Sequence, residues 1–262
     1  MSCPGVGART RRRRQRRAAT QATTKPIPQL GRAMMKIGII GSGEIGGSLA
    51  RRLSKLGHQV SIANSRGPGS LADLAAETGA RAVTVHEAAR SGEIVFVAIP
   101  AFKIADLPKD LFDEVDADVA VVETGNYYPQ ERDGRIDPIE QGMAESRWVA
   151  NQLGRPVLKA INNLHWRSLL DGGKPAGTPG RIALPVSGDN AAHKARVIRL
   201  FDELGYDGVD AGPLDESWRQ QPGTPVYAAN LDTDGVRKAL AEASPERKPE
   251  FRGALNSSIG KP

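Results

Sequence analysis

A glycine-rich hexapeptide near the start of the chain carries the most interpretable chemistry. Gly41, Gly43 and Gly46 have the spacing G-x-G-x-x-G, follow a short apolar run and open a segment with helical periodicity. The first glycine permits a tight turn, the second lets the backbone approach a pyrophosphate, and the third lets the helix pack close to the strand. The N–H groups and partial positive charge of the helix N-terminus favour an anion. The predicted dinucleotide-binding residues are Gly41, Ser42, Gly43, Glu44, Ile45 and Gly46.

The end of the next predicted strand indicates which dinucleotide binds. NAD sites usually place Asp or Glu there for the ribose 2′-hydroxyl, whereas this chain has Asn64, Ser65 and Arg66. Asn64 and Ser65 can hydrogen-bond a 2′-phosphate, and Arg66 can pair with it. A carboxylate would repel that phosphate. The corner therefore favours NADP(H) over NAD(H).

Loops at the carboxyl ends of four later strands are expected to meet at the nicotinamide, because ligands of this fold class lie beyond those ends. These loops span residues 98–102, 124–129, 162–166 and 212–214. The residues predicted to contact the cofactor there are Ala98, Ile99, Pro100 and Asn126. Asn126 is interpreted either as a ligand of the carboxamide or as a turn residue.

The sequence shows no recognisable set of acid–base, nucleophilic or metal-ligating side chains. Tyr127, Tyr128 and Lys159 lack Tyr-x-x-x-Lys spacing; the tyrosines either stack on a planar acceptor or pack under their loop. His165, beside Trp166, is either a site residue or a packed surface residue. Hydride transfer between planar redox groups often needs only proximity and orientation, whereas ketone reduction needs a proton donor. We therefore leave the catalytic residues unassigned, expect no metal site and favour a planar acceptor.

The elements that must position these residues alternate between strand and helix patterns. Apolar runs predict strands at residues 36–40, 59–63, 81–83, 93–99, 119–123, 157–161, 182–186 and 206–210. Helical periodicity marks residues 44–56, 70–78, 86–90, 139–153, 190–204 and 234–243, with Ser70 as a predicted N-cap. This alternation predicts a Rossmann-type, doubly wound α/β fold with a mainly parallel sheet of about eight strands and helices on both faces.

The composition divides the chain into a basic N-terminal segment and a mildly acidic body. Residues 1–33 hold nine basic residues and no Asp or Glu, which leaves 27 basic against 30 acidic residues in 34–262. We expect 1–33 to be a disordered basic tail; it is interpreted as a mis-assigned start before Met34, a genuine extension or a targeting signal. Residues 34–243 are expected to form the NAD(P)-binding domain with its C-terminal extension, and 244–262 a loose polar tail.

Composition also bears on location and partners. No apolar run approaches the about 20 residues that a membrane helix needs, and the only cysteine is Cys3. We expect a cytoplasmic protein that contacts no membrane. The arginine run at residues 11–17 has no interleaved aromatic residue, so we expect no nucleic-acid partner. The expected partner is a small redox acceptor, with a homodimer as an expectation by analogy.

These motifs resemble those of the coenzyme F420-dependent NADP oxidoreductase family. The matching segments are residues 41–46, 64–66, 98–100, 185–189 and 209–214. Members of that family transfer hydride between NADP(H) and an 8-hydroxy-5-deazaflavin. Segments 126–129 and 159–163 are also similar to the NADPH-binding domain of STEAP-type metalloreductases.

The resemblance implies specific roles and leaves the acceptor open. It implies that Ser42, Ser65 and Arg66 bind the adenosine phosphate end and that residues 98–100 flank the nicotinamide. The chain departs from the family pattern at Asn162 and Asn163, where deazaflavin reductases carry a histidine, although His165 lies close by, and at residues 216–225, which are not an apolar helix. We therefore expect an NADP(H)-dependent oxidoreductase that transfers hydride between NADPH and deazaflavin, flavin or chelated metal. The alternative is a non-catalytic NADP(H)-binding sensor.

Overall fold

The structure, a computed structural model, describes residues 33–254. The chain divides into two units, residues 1–33 and 34–262, and all that follows concerns the second unit. The predicted basic tail lies outside the described residues except for Ala33, as do residues 255–262 of the predicted polar tail. In the described part of the chain, no helix is long and apolar enough to cross a membrane.

Six parallel strands form the main sheet. They are β1 (Lys36–Ile40), β2 (Gln59–Ala63), β3 (Arg81–Ala82), β4 (Ile94–Val97), β5 (Ala120–Glu123) and β6 (Leu158–Lys159). Their spatial order is β3-β2-β1-β4-β5-β6. The chain adds β2 and β3 on one side of β1, and then returns to add β4, β5 and β6 on the other side. The gap between β1 and β4 is therefore the topological switch point, where open α/β sheets bind ligands.

Two further strands, β7 (Ala183–Val186) and β8 (Asp207–Asp210), pair in parallel as a separate sheet. The predicted strands are therefore all present, but they are divided between two sheets. An antiparallel bridge between Lys159 and Ser187 is the link to β6. The last strand of the main sheet, β6, has only two residues, and the backbone turns shortly after it at Ile161, whose φ is +67°.

Helices cover both faces of the main sheet. The helices are α1 (Glu44–Lys55), α2 (Ala72–Thr78), α3 (Val85–Arg90), α4 (Ala101–Ile104), α5 (Asp137–Glu140), α6 (Glu145–Leu153), α7 (Trp166–Asp171), α8 (Ala191–Leu204) and α9 (Thr233–Ala241). Alternate residues of a strand point to opposite faces. Thus Ile39 packs in a core with α1, α7 and α8, whereas Ile40 packs in a second core with α3, α4 and α6.

Two predicted helices differ in the structure. The predicted helix 139–153 is two helices, α5 and α6, because Gly142 between them has φ of +104°, a left-handed conformation that interrupts a right-handed helix. Ser70 is not an N-cap: it lies in a 3₁₀ helix, Pro68–Leu71, that leads into α2. Its hydroxyl donates instead to the Gly67 carbonyl at 2.8 Å.

The expectation of a loose tail is wrong for residues 244–254. This segment contains a 3₁₀ helix, Pro249–Phe251, and is held by hydrogen bonds to the body of the protein. The polar composition of the segment did not indicate disorder here, because one of its charged side chains, Arg247, is only 14% exposed and forms an ion pair with the buried Glu145.

Candidate functional site

The glycine hexapeptide connects β1 to α1. Its three glycines differ in the space that a side chain would have at each position. Gly41 has φ of +111°, and a Cβ built there would lie 2.2 Å from the carbonyl oxygen of Ala98. A Cβ at Gly46 would lie 1.9 Å from the Gly41 carbonyl oxygen. At Gly43, in contrast, a Cβ would meet nothing within 4 Å. Packing therefore requires Gly41 and Gly46, whereas Gly43 only keeps a space open.

The space at Gly43 has the chemistry of an anion cradle. Gly43 is the N-cap of α1 and has no side chain to satisfy the first N–H groups of the helix. Gly43 and Glu44 are exposed, and Ser42 beside them is half-buried. N–H groups of a helix N-terminus attract phosphate groups. The loop therefore fits the pyrophosphate of a dinucleotide, for which a side chain at Gly43 would be an obstruction.

Asn64, at the end of β2, organises the corner predicted to hold the 2′-phosphate. Its Nδ2 donates to the hydroxyls of Ser42 at 3.1 Å and Ser70 at 3.0 Å, and its Oδ1 accepts from the Arg66 backbone at 2.9 Å. Ser65 and Arg66 are exposed. Within residues 33–254 the Arg66 guanidinium forms no ion pair. Asn64 thus joins the phosphate loop to the corner and leaves Arg66 available to an incoming anion.

The loop after β4 lies directly against the glycine turn. The Ala98 N–H donates to the Ile40 carbonyl at 2.8 Å, and a Cβ at Gly41 would lie 2.8 Å from the Ile99 side chain. Ala98, Ile99 and Pro100 are all half-buried at this edge, and Pro100 precedes α4 as its N-cap. The predicted nicotinamide-flanking residues therefore border the predicted phosphate loop.

A network of amides, of which Asn162 and Gln220 are buried and Asn126 is half-buried, continues this edge across β5 and β6. Asn126 and Asn162 bond reciprocally, Nδ2 of Asn126 to the Asn162 carbonyl and Nδ2 of Asn162 to Oδ1 of Asn126, both at 3.0 Å. Gln220 donates to Oδ1 of Asn162 at 3.0 Å and accepts from Ser187 at 3.0 Å. Ile161, which directly precedes Asn162, holds a left-handed conformation that β-branched residues rarely adopt.

Three of the four expected loops meet at this edge. Asn126 joins 124–129 to 162–166, and a Cβ on Gly125 would lie 3.3 Å from the Ile99 carbonyl oxygen, which places 124–129 beside 98–102. The fourth loop, 212–214, bonds instead to Gly188 and Asp189.

The tyrosines and the histidine of these loops have structural contacts. Tyr127 is fully buried; its hydroxyl donates to Glu140 and accepts from the Ile136 N–H, both at 2.9 Å. Tyr128 contacts the hydroxyl of Tyr227. Burial raises the pKa of Tyr127 and of Tyr128 above the ordinary phenol range, so both hold their protons tightly. His165 accepts from the Arg167 N–H at 3.3 Å and thereby caps α7.

A buried cluster of charged side chains forms hydrogen bonds to the backbone of the loop 124–129. Lys159, fully buried, lies 3.0 Å from Glu123 and donates to the Gly125 carbonyl at 2.5 Å. Glu123 also accepts from Ser146 at 2.7 Å. Glu145 lies 3.9 Å from Lys159 and accepts from the Tyr127 N–H at 3.2 Å. Burial raises the pKa of Glu145.

Sequence reasoning missed this cluster and Gln220. A signal existed for the cluster: Glu123 and Lys159 sit inside otherwise apolar strand patterns, and a charged residue is almost never fully buried unless it is paired. Gln220 had no such signal, because it lies 58 residues from its partner Asn162. The described residues contain no cluster of His, Cys, Asp or Glu that could hold a metal ion.

A cavity of about 980 Å³ lies elsewhere, between residues 135–143, 215–225 and 242–253. It does not border the glycine loop or the Asn64 corner. Its lining contains none of the residues predicted to bind the dinucleotide.

Comparisons with known proteins agree with this geometry. The family model of the NADP oxidoreductases, coenzyme F420-dependent, matches residues 36–127. The Escherichia coli K12 protein YjhV is 36% identical over 110 residues, which are 41% of this chain and 71% of that protein. The chain belongs to the coenzyme F420-dependent NADP oxidoreductase family.

Solved structures of similar proteins extend the likeness across the fold. This family member is 31% identical to protein SMa0349 from Sinorhizobium meliloti, covering 77% of this chain and 97% of that one with a TM-score of 0.64. A candidate F420-dependent NADP-reductase from Arthrobacter sp. FB24 is 25% identical over 69% of this chain and 86% of that one, with a TM-score of 0.55. The Rossmann-type fold and membership of an oxidoreductase family predicted from the sequence are thereby confirmed.

Proposed function

We propose that the protein is an NADP(H)-dependent oxidoreductase that transfers hydride between NADPH and a planar redox acceptor. The observation that carries the proposal is the open space at Gly43, joined through Asn64 to a corner without a carboxylate. A structural turn would not need a glycine at Gly43, because nothing in the protein occupies the position of its Cβ. The glycine is explained by a ligand whose phosphates approach the backbone.

The residues of the chain bind and orient the cofactor. Bound NADPH supplies the hydride. The N-terminus of α1 holds the pyrophosphate, and Ser65 and Arg66 hold the 2′-phosphate by charge-assisted hydrogen bonds. Ala98, Ile99 and Pro100 pack against the nicotinamide, and Asn126 orients it at the edge of the amide network. The cofactor thus spans the carboxyl edge of the sheet from β2 to β5.

The side chains at this edge support the proposal of a planar acceptor. The side chains that we place there are the amides of Asn126, Asn162 and Gln220, whereas the neighbouring Tyr127 is buried with its hydroxyl bonded to Glu140. Reduction of a ketone requires a proton donor in reach, whereas hydride transfer between planar redox groups requires only their close approach. This favours deazaflavin or flavin, which accept a hydride as a unit; with a chelated metal as acceptor, two metal ions would each take one electron and the proton would be released.

Binding and turnover should be measured separately on the full-length chain. Isothermal titration with NADPH and with NADH tests the cofactor, and the loss of reduced-nicotinamide absorbance with deazaflavin, FMN, ferric or cupric chelates tests the reaction. We expect tighter binding of NADPH and oxidation with at least one planar acceptor. Binding without oxidation by any acceptor would support the sensor instead, and absence of NADPH binding would refute both functions.

A further inference from the structure

Residues 244–254, here called the C-terminal strap, lie across the loop that follows β5. Gln130 in that loop donates to two strap carbonyls, at 2.8 and 3.0 Å. Further along, Arg135 donates to the Gly253 carbonyl at 2.9 Å and Glu140 accepts from the Gly253 N–H at 2.8 Å. These contacts bridge more than 100 residues of sequence. The strap is therefore part of the structure that supports the predicted nicotinamide end.

Arg247 extends from the strap into the protein interior. Its guanidinium donates to Glu145 at 2.9 Å and to Gln221 at 3.1 Å, and lies 5.2 Å from the centre of the Tyr127 ring. The side chains of Arg247 and Glu145 are 14% and 4% exposed. A charge pair so buried responds strongly to loss of one partner, because the other charge is left unpaired.

Glu145 transmits this contact to the backbone. One of its oxygens accepts from Arg247, and the other accepts from the Tyr127 N–H at 3.2 Å. Its other cation, Lys159, is 3.9 Å away and bonded more closely to Glu123 and Gly125. Burial opposes the ionised form of Glu145, and Lys159 and Arg247 both favour it. Arg247 is the cation hydrogen-bonded to Glu145, so it holds this acceptor in place under the backbone of Tyr127.

We propose that Arg247 is a positioning residue that acts through Glu145 and Tyr127 to hold Asn126 at the nicotinamide end of the cofactor site. The inference deepens the proposed function and rests on it. Asn126 precedes Tyr127 directly, so a shift of the Tyr127 backbone displaces the amide that bonds Asn162. The phosphate loop and the Arg66 corner belong to β1 and β2 and do not contact the strap, so their affinity for phosphate stays unchanged.

The test compares a whole cofactor with its phosphate half. We expect Arg247→Met to weaken NADPH binding about tenfold in isothermal titration, while binding of 2′,5′-ADP, which lacks the nicotinamide, stays unchanged. Lys248→Met is the matched control: Lys248 is the next residue of the strap, is exposed, and its side chain has no hydrogen bond or ion pair within residues 33–254. It should bind both ligands like the unsubstituted protein.

Rescue separates positioning from general destabilisation. In the Glu145→Gln/Arg247→Met double variant, the amide oxygen at position 145 still accepts the Tyr127 N–H and no charge is left unpaired, so NADPH affinity should return to within about threefold. The NADPH affinity of Arg247→Lys should lie between those of Arg247→Met and the unsubstituted protein. If Arg247→Met does not fold, the double variant and Arg247→Lys carry the test. Equal losses for both ligands, no loss, or no rescue would overturn the proposal. An unsubstituted protein that binds neither ligand would refute the proposed function itself.

Discussion

Two glycines of the phosphate loop, Gly43 and Gly46, are predicted to differ in their effects on cofactor binding and on stability. Gly43→Ala places a methyl group in the cradle where nothing in the protein lies within 4 Å, at a backbone φ of −70° that any residue adopts. Gly46→Ala places it 1.9 Å from the Gly41 carbonyl oxygen. The first substitution should therefore weaken binding of the cofactor without affecting folding, and the second should destabilise the folded protein.

The magnitudes follow from overpacking. Inserting a methyl group into a filled space costs about 1–3 kcal/mol. For Gly43→Ala that cost falls on the complex, which corresponds to about 5- to 150-fold in the Kd for NADPH. Its effect on folding is limited to the N-cap preference, under about 1 kcal/mol or about 4 °C in Tm. For Gly46→Ala the cost falls on the folded state, where about 1–3 kcal/mol lowers Tm by about 2–12 °C.

Both variants need the same two assays: thermal unfolding followed by circular dichroism without ligand, and titration with NADPH. The reasoning predicts opposite profiles for the two variants. It fails if Gly43→Ala binds NADPH as tightly as the unsubstituted protein, because the open space would then have no part in phosphate binding. It also fails if Gly43→Ala unfolds as readily as Gly46→Ala, because the glycine would then serve packing after all.

Three further substitutions test other parts of the structure. Arg66→Asp should weaken NADPH binding about 10- to 100-fold by loss of charge-assisted hydrogen bonds while NADH binding stays nearly constant; equal losses in titration would contradict the assignment. Lys159→Met leaves Glu123 and Glu145 without their shared cation, and should lower the free energy of unfolding in urea by about 3–5 kcal/mol at pH 7. The deficit should shrink as the pH falls, because Lys159 lowers the pKa of Glu145 and its loss lets the folded variant take up a proton at a higher pH than the unsubstituted protein does; a deficit independent of pH would refute this account. Ala228→Gly should raise the unfolding free energy by about 0.5–1 kcal/mol, since exposed Ala228 has φ of +54°, and a lower Tm would contradict the strain.

Local patterns predicted the parts of the fold in which short-range signals and burial agree. The bounds of β1 and β2 were predicted to the residue, because each is an apolar run between turn residues. The prediction for residues 190–204 was confirmed as α8 with Asn190 as its N-cap, whose side chain accepts from His193. Where signals conflicted, prediction failed: apolar periodicity continued across Gly142 although the backbone conformation there ends the helix.

Contacts between distant segments could not be predicted in the same way. The strap is polar and rich in proline, which is typical of loose chain ends, and nothing local shows that Arg247 meets Glu145 over 102 residues of sequence. Gln220 likewise reads as an ordinary polar residue until β6 and the 3₁₀ helix Leu214–Gln220 bring it to Asn162. Such partners depend on how the whole chain folds.

The sequence alone determined the alternation of strands and helices, the glycine turn and the corner at Asn64, Ser65 and Arg66 without a carboxylate. These features are short-range, since each is a matter of residue type and spacing within one βαβ unit. Only the tertiary structure decided which glycines are required by packing and which one leaves room for a ligand, because Gly41 is confined by the backbone of Ala98 in the loop after β4. It also decided that Tyr127 is buried rather than presented to an acceptor, because burial and charge pairing are settled by segments far apart in the chain.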